Sequence, residues 1–283
     1  MNGPAASPPR RAPSFAGAAL RVFDLSLGEL LWSKRTIFLA LVSAGPIALG
    51  AILRALERFG GPGIQVNAVR VGGSAVFGGM IWLLYLRFLV PVVGAFYGTA
   101  LIADEVEDKT VTYLFTRPIP RGAVAAGKYL AYLVCTTLVV LPSVMLVYFI
   151  VTPIGGGSIG ETFPALLVDL ALLGLGLSVY GALFAFIGAA LKRPLAIGLV
   201  FAFGWEPAVL LFPGYLKRLT VAYYLQALVP HAMPQDSTVS ALLQLFREVP
   251  AAGSSLVWMA AISAVFIWLA ARAVERREYV LEQ

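Results

Sequence analysis

The stretch at residues 103–128, ADEVEDKTVTYLFTRPIPRGAVAAGK, separates two long apolar segments, and its reading organises the rest of the chain. Its first half sets Asp104, Glu105, Glu107 and Asp108 at the start of a predicted short helix, where the helix dipole favours negative charge. Its second half carries Arg117, Arg121 and Lys128. Pro118 and Pro120 lack backbone donors and fix φ, so the predicted helix ends near Thr116 and the chain turns in a stiff elbow before the next segment. A rigid, bipolar protrusion with no large apolar face of its own is suited to being gripped by another protein.

The composition says what holds that protrusion. Of 283 residues, 59% are hydrophobic and 13% charged, and the mean hydropathy is +0.85. Soluble domains carry about 25% charged residues, so this is an integral membrane protein. Apolar segments run over residues 36–53, 76–103, 129–151, 165–191, 194–212 and 254–271. Each is long enough to cross about 30 Å of hydrocarbon as a helix, the first and last with little tilt. The ten-residue alternation of barrel strands is absent. The predicted fold class is therefore all-α, with six transmembrane helices.

Residues 1–17 are rich in Pro, Ala and Ser and read as a disordered cytoplasmic tail. Arg10 and Arg11 invite an export-signal reading, but no adequate apolar region follows at signal-peptide distance. Over residues 18–35, Leu20, Phe23, Leu27, Leu30 and Leu31 share one helical face, which predicts an amphipathic helix in the membrane interface, with Trp32 and Lys34-Arg35 at headgroup level. A soluble helical cap is the plainer alternative. Residues 18–283 then form one transmembrane domain, with a long outer segment at 213–253 broken by Pro230, Pro234 and Pro250.

Basic residues orient the chain. With the N-terminus inside, the outer segments hold Arg54, Arg58, Arg70, Lys217, Arg218 and Arg247, while inner segments of nearly equal total length hold more than twice as many Lys and Arg. Both termini and the 103–128 loop are thus predicted cytoplasmic, in a cell (plasma or inner) membrane. The basic balance records topology, and nucleic acid is not an expected partner.

Three ionisable residues fall inside spans: Arg87, Asp169 and Glu206. Each costs about 2.5–3.5 kcal/mol on insertion scales, so they are candidates for a translocation path. Asp169, near a span end, could instead reach headgroups; Arg87 and Glu206 could pair, line one polar cavity, or snorkel. Gly94 and Gly98, and the small residues Gly181, Ala185 and Ala189, permit close helix approach, read first as packing within the chain. Pro46, Pro91, Pro142 and Pro207 predict kinks.

No site for covalent or metal chemistry emerges. The run Gly122 to Lys128 nearly spells a phosphate-binding loop, but Tyr129 stands where a Mg²⁺-ligating hydroxyl is needed and no strand precedes it. The single Cys135 excludes an internal disulfide. His231 beside Met233 does not make a metal site, and no catalytic motif occurs, so the chain is not expected to be an enzyme.

Glu105, Thr110, Leu114, Arg117-Pro118-Ile119, Arg121 and Gly127-Lys128 together resemble the cytoplasmic loop of ABC-2-type transporter permeases. A looser resemblance covers most of the chain, including Trp205-Glu206 and Arg277-Glu278-Tyr279. The resemblance implies that the loop docks on a separate ABC ATPase subunit, which binds ATP and Mg²⁺, and that a second permease chain, identical or related, completes the transporter. This chain would bind no cofactor, and export is the direction implied. The alternative is a self-contained ion-coupled carrier using Arg87, Asp169 and Glu206.

Overall fold

The computed structural model describes residues 14–60, 65–66, 69–70, 72–101, 121–211, 215–229 and 251–276. These are helical apart from a two-residue antiparallel pair, Gln65–Val66 with Val69–Arg70. Helix α1 spans Phe15–Leu31 and α2 Lys34–Arg58. Helix α3 runs continuously over Gly73–Gly98. Helix α4 is Arg121–Val151 and α5 Ile159–Ala190. Helix α6 joins Pro194–Val200, a π turn at Phe201–Trp205, and Glu206–Leu211. Helix α7 is Val221–Leu228 and α8 Ala252–Arg276.

Five of these, α2, α3, α4, α5 and α8, are long and apolar enough to cross a membrane. The segment predicted as the fifth of six spans instead gives the shorter apolar helix Pro194–Val209. At 1.5 Å per residue it falls short of about 30 Å of hydrocarbon.

Helix α5 is the centre. It packs against α3, α4, α6, α7 and α8, and buried residues lie on all its sides, as expected of a helix that is apolar all round. By contrast α2 and α8 turn Ile37, Leu41, Ile52 and Leu56, and Val257, Val265 and Trp268, outward. An exposed apolar stripe on a membrane-length helix is what lipid contact requires.

Glycines set how closely the helices approach. A Cβ at Gly94 or Gly98 would press on Phe184 at 2.9 and 2.8 Å, and one at Gly188 would collide with the Thr99 carbonyl, so α3 and α5 meet along small residues. A Cβ at Gly181 would strike the Tyr132 ring of α4. The small-residue pattern is thus used for packing within the chain, as expected.

Buried hydroxyls need partners where water is scarce, and tyrosines supply the cross-links. Tyr85 pairs with Ser143 (3.1 Å) and Tyr97 with Thr36 (3.1 Å). Tyr129 and Tyr132 donate to the carbonyls of Ser178 (2.7 Å) and Leu177 (3.0 Å), and Tyr148 donates to that of Ile159 (2.6 Å).

The helix ends alternate. At one end the Glu57 carboxylate, held by Arg54 at 3.2 Å, accepts from the Gly155 N–H at 2.6 Å, so the end of α2 meets the turn after α4. Gly155 and Gly156 make that turn with φ of 69° and 82°, the left-handed region that favours glycine. At the other end Thr36, Tyr97 and Cys135 converge, and Lys128 Nζ donates to the Leu101 carbonyl at 3.4 Å. The expected tight hairpin between α5 and α6 is present: Leu191 leaves α5 extended, and Pro194 opens α6 at a position where a missing N–H costs nothing.

Helix α1 departs from its predicted face. Ser14 caps it, its hydroxyl accepting from the Gly17 N–H at 3.3 Å. Its buried face is Ala18, Ala19, Val22 and Ser26, packed on the start of α4, while Leu20 is 59% and Leu25 71% exposed. The small side chains win this face because they let two backbones touch: a Cβ at Gly127 would lie 2.5 Å from the Ala19 carbonyl oxygen. Phe23, Leu27, Leu30 and Leu31 flank the contact, half-buried.

Candidate functional site

Two helices abandon α-helical geometry, and a cavity lies between them. In α3, Ile81–Leu89 forms a π turn that ends just ahead of Pro91; in α6, the π turn Phe201–Trp205 ends just ahead of Pro207. Proline removes a backbone donor from the ladder, and a wide turn is one way a helix absorbs that loss. The cavity, of about 210 Å³, is lined by Trp82, Leu86, Arg87 and Pro91 of α3, Tyr180 of α5, Ala202, Phe203, Glu206 and Pro207 of α6, and Ala222 and Leu225 of α7.

Glu206 is only 3% exposed, and its oxygens are well supplied with donors. The Tyr180 hydroxyl donates to Oε2, and the Val221 N–H donates to Oε1 at 3.1 Å. The Ala222 N–H also bonds the carboxylate. Val221 and Ala222 are the first residues of α7, so a carboxylate of α6 caps the positive end of another helix. A hydrogen bond to a charged group contributes about 1.5–3 kcal/mol, which works against the cost of burying this carboxylate.

Arg87 takes a different partner. Its guanidinium carbon sits 5.1 Å from the Trp82 ring centroid, within cation–π range. The separation of Trp82 and Arg87 in sequence suits the i to i+5 register of a π turn. The direct Arg87–Glu206 ion pair considered from sequence does not form; the two residues line one cavity and satisfy themselves separately.

Asp169 belongs elsewhere. It is fully buried in α5, so its side chain is packed inside the protein rather than turned outward. It lies about 16 Å along the helix from Tyr180 at 1.5 Å per residue, and it does not line the cavity. The three intramembrane ionisable residues therefore do not form one site.

Of the loop residues, Glu105, Thr110, Leu114, Arg117 and Pro118 lie outside the described residues, as do His231, the 1–13 part of the tail and Arg277-Glu278-Tyr279. Arg121 opens α4, and Lys128 ties the start of α4 to the end of α3. Sequence reasoning missed Tyr180 and Trp82. Neither is ionisable at ordinary pH, so neither stands out in a search for costly intramembrane charges.

A family model described as "ABC-2 family transporter protein" matches residues 15–278, nearly the whole chain. No curated protein matches it.

Proposed function

Since the chain belongs to the ABC-2 transporter family, we propose that it is the membrane-spanning permease subunit of an ATP-driven exporter, working with a separate ATPase subunit that binds ATP and Mg²⁺. The observation that carries this reading is the family match over residues 15–278 on a chain with five membrane-length apolar helices. The permease is the non-catalytic partner: nucleotide hydrolysis on the ATPase supplies the work, and this chain supplies the path.

In this reading α6 completes a six-helix membrane domain with both termini cytoplasmic, α1 lies in the inner interface, and a second permease chain pairs with this one. The loop at 103–128 receives the ATPase through Glu105, Thr110, Leu114, Arg117, Pro118, Arg121 and Lys128. Two contacts favour a mechanical role for it. Lys128 bonds the Leu101 carbonyl across the loop's base, and Gly127 beds against α1. A push on the loop would thus reach α1, α3 and α4 together.

The test is coexpression of the tagged full chain with its cognate ATPase, followed by purification in neutral detergent. A stable complex whose ATPase activity changes when the permease is present is the expected result. A chain that purifies alone under all conditions and transports without ATP overturns the reading.

A further inference from the structure

Arg87 and Glu206 meet the same cavity, yet they are unequal in what they have left to offer. The Glu206 oxygens are engaged by Tyr180, Val221 and Ala222. The Arg87 guanidinium is stacked on Trp82 and makes no hydrogen bond among the described residues. A guanidinium has five donors in a fixed fork that matches carboxylate and phosphate oxygens. Around it the cavity is apolar and aromatic, through Trp82, Phe203 and Leu225. The rim also carries apolar surface, since the lining residue Phe203 is exposed and its ring lies 5.9 Å from that of Phe88, which is exposed too.

We propose that this cavity is a binding site for a small amphiphilic anion, its oxygen-bearing head on Arg87 and the first part of its chain against Trp82, Phe203 and Leu225. The inference goes beyond the permease reading and does not need it, because binding can be measured without transport. At about 210 Å³ the cavity takes a head and a short length of chain, not a whole lipid. The head chemistry, a carboxylate or phosphate, could come from a soluble amphiphile or from a lipid headgroup entering past the exposed rim. Glu206 is not a group that holds the ligand, since its oxygens are bonded to Tyr180 and the start of α7. It instead holds the wall: by joining α5, α6 and the start of α7 it fixes Tyr180, Ala222 and Leu225 around the space.

The experiment uses the full chain in phosphatidylcholine nanodiscs and radiolabelled octanoate in equilibrium dialysis, with empty discs correcting for partition into lipid. Octylammonium, with the same chain and the opposite head, and inorganic phosphate, with no chain, are the comparison probes. A saturable octanoate component is expected that neither comparison probe shows. Arg87→Met should weaken it at least tenfold, and Arg87→Lys by less. Glu206→Gln checks the wall, and hydrogen exchange of α7 checks that Arg87→Met leaves it folded. Replacing part of the phosphatidylcholine with phosphatidylglycerol tells the sources apart. Competition with octanoate points to a lipid headgroup, and its absence to a soluble amphiphile. Equal octanoate binding by the wild-type chain and a folded Arg87→Met variant, or a preference for octylammonium, overturns the proposal. That failure would leave ATPase copurification, and so the permease reading, untouched.

Discussion

The carbonyl oxygen of Ala19 stands 2.5 Å from where a Cβ on Gly127 would be, so α1 and the helix leaving the 103–128 loop touch backbone to backbone. No side chain larger than hydrogen fits without moving one helix. Gly127→Leu should therefore dislodge α1, at a cost of about 1–3 kcal/mol for an overpacked contact. Hydrogen exchange reads this directly: amides of α1 should lose protection while those of α5 keep theirs. Gly28→Ala, where an added Cβ meets nothing, is the control and should be neutral or slightly stabilising.

The glycines of α5 predict a graded series. Gly188→Ala sets a methyl against the backbone carbonyl of Thr99, which cannot swing away. Gly181→Ala meets the Tyr132 ring, which is fully buried and bonded to the Leu177 carbonyl. Both should lower the thermal midpoint in neutral detergent, by the equivalent of about 1–3 kcal/mol. Gly174→Ala has open space and should gain the roughly 0.5–1 kcal/mol that alanine holds over glycine in a helix. Equal effects at all three positions would mean that the close approach is not what these glycines are for.

Hydropathy made most of this fold legible, because in a membrane the apolar run is itself the structural element. The starts of α4 and α5 lie ahead of the apolar runs at 129–151 and 165–191, because a helix extends into a polar first turn such as those of Arg121 and Glu161. Residues 194–212 read as a span because their composition is apolar; Pro207 predicts a kink there, but the π turn ahead of it is invisible to a composition window. The face of α1 was misread for a related reason. Leucine spacing marks greasy surface, whereas the contact with α4 is governed by the absence of bulk at Ala18, Ala19 and Gly127. The cavity was legible in its charges, Arg87 and Glu206, but not in their partners, since Tyr180 and Trp82 are recruited by geometry alone.

Those partners decide a double-mutant test. The Tyr180 hydroxyl is bonded to Glu206, so Tyr180→Phe and Glu206→Gln should be coupled by about 0.5–3 kcal/mol in stability. Arg87→Met and Glu206→Gln share a cavity without a direct bond, and their coupling should be the smaller. Thermal melts of the four variants in each cycle provide the comparison. A larger coupling for the Arg87 cycle would show that the two charges meet after all.

Orientation can be tested chemically. Glu57 bonds the Gly155 N–H, so the end of α2 and the turn before α5 share one face of the protein. The excess of basic residues lies on the segments predicted for the opposite face. Single cysteines at Ser158 and Ser237, in a Cys135→Ala background, should react with an impermeant thiol reagent in intact cells, and one at Thr112 should not. The reverse pattern would invert the topology, and with it the assignment of the loop to the cytoplasm.

The last prediction concerns the loop itself. In sequence, residues 103–128 carry charge of both signs with Pro118 and Pro120, and the proposed function makes them the surface that receives the ATPase. Arg121 stands where the loop becomes α4, and Gly127 and Lys128 connect that helix start to α1 and α3. A force applied at Arg121 is thus delivered to three helices. Losing one partner of a desolvated charge pair costs about 2–5 kcal/mol, and reversing a charge adds repulsion. Arg121→Glu should therefore weaken copurification with the ATPase by one to several orders of magnitude on the same principle, about tenfold for each 1.4 kcal/mol. The thermal midpoint of the isolated permease should stay unchanged. Arg121→Lys keeps the charge but loses the planar fork, and should fall between. Normal ATPase binding by Arg121→Glu, in a chain that is folded and inserted, would mean that force enters this protein elsewhere than through the 103–128 loop.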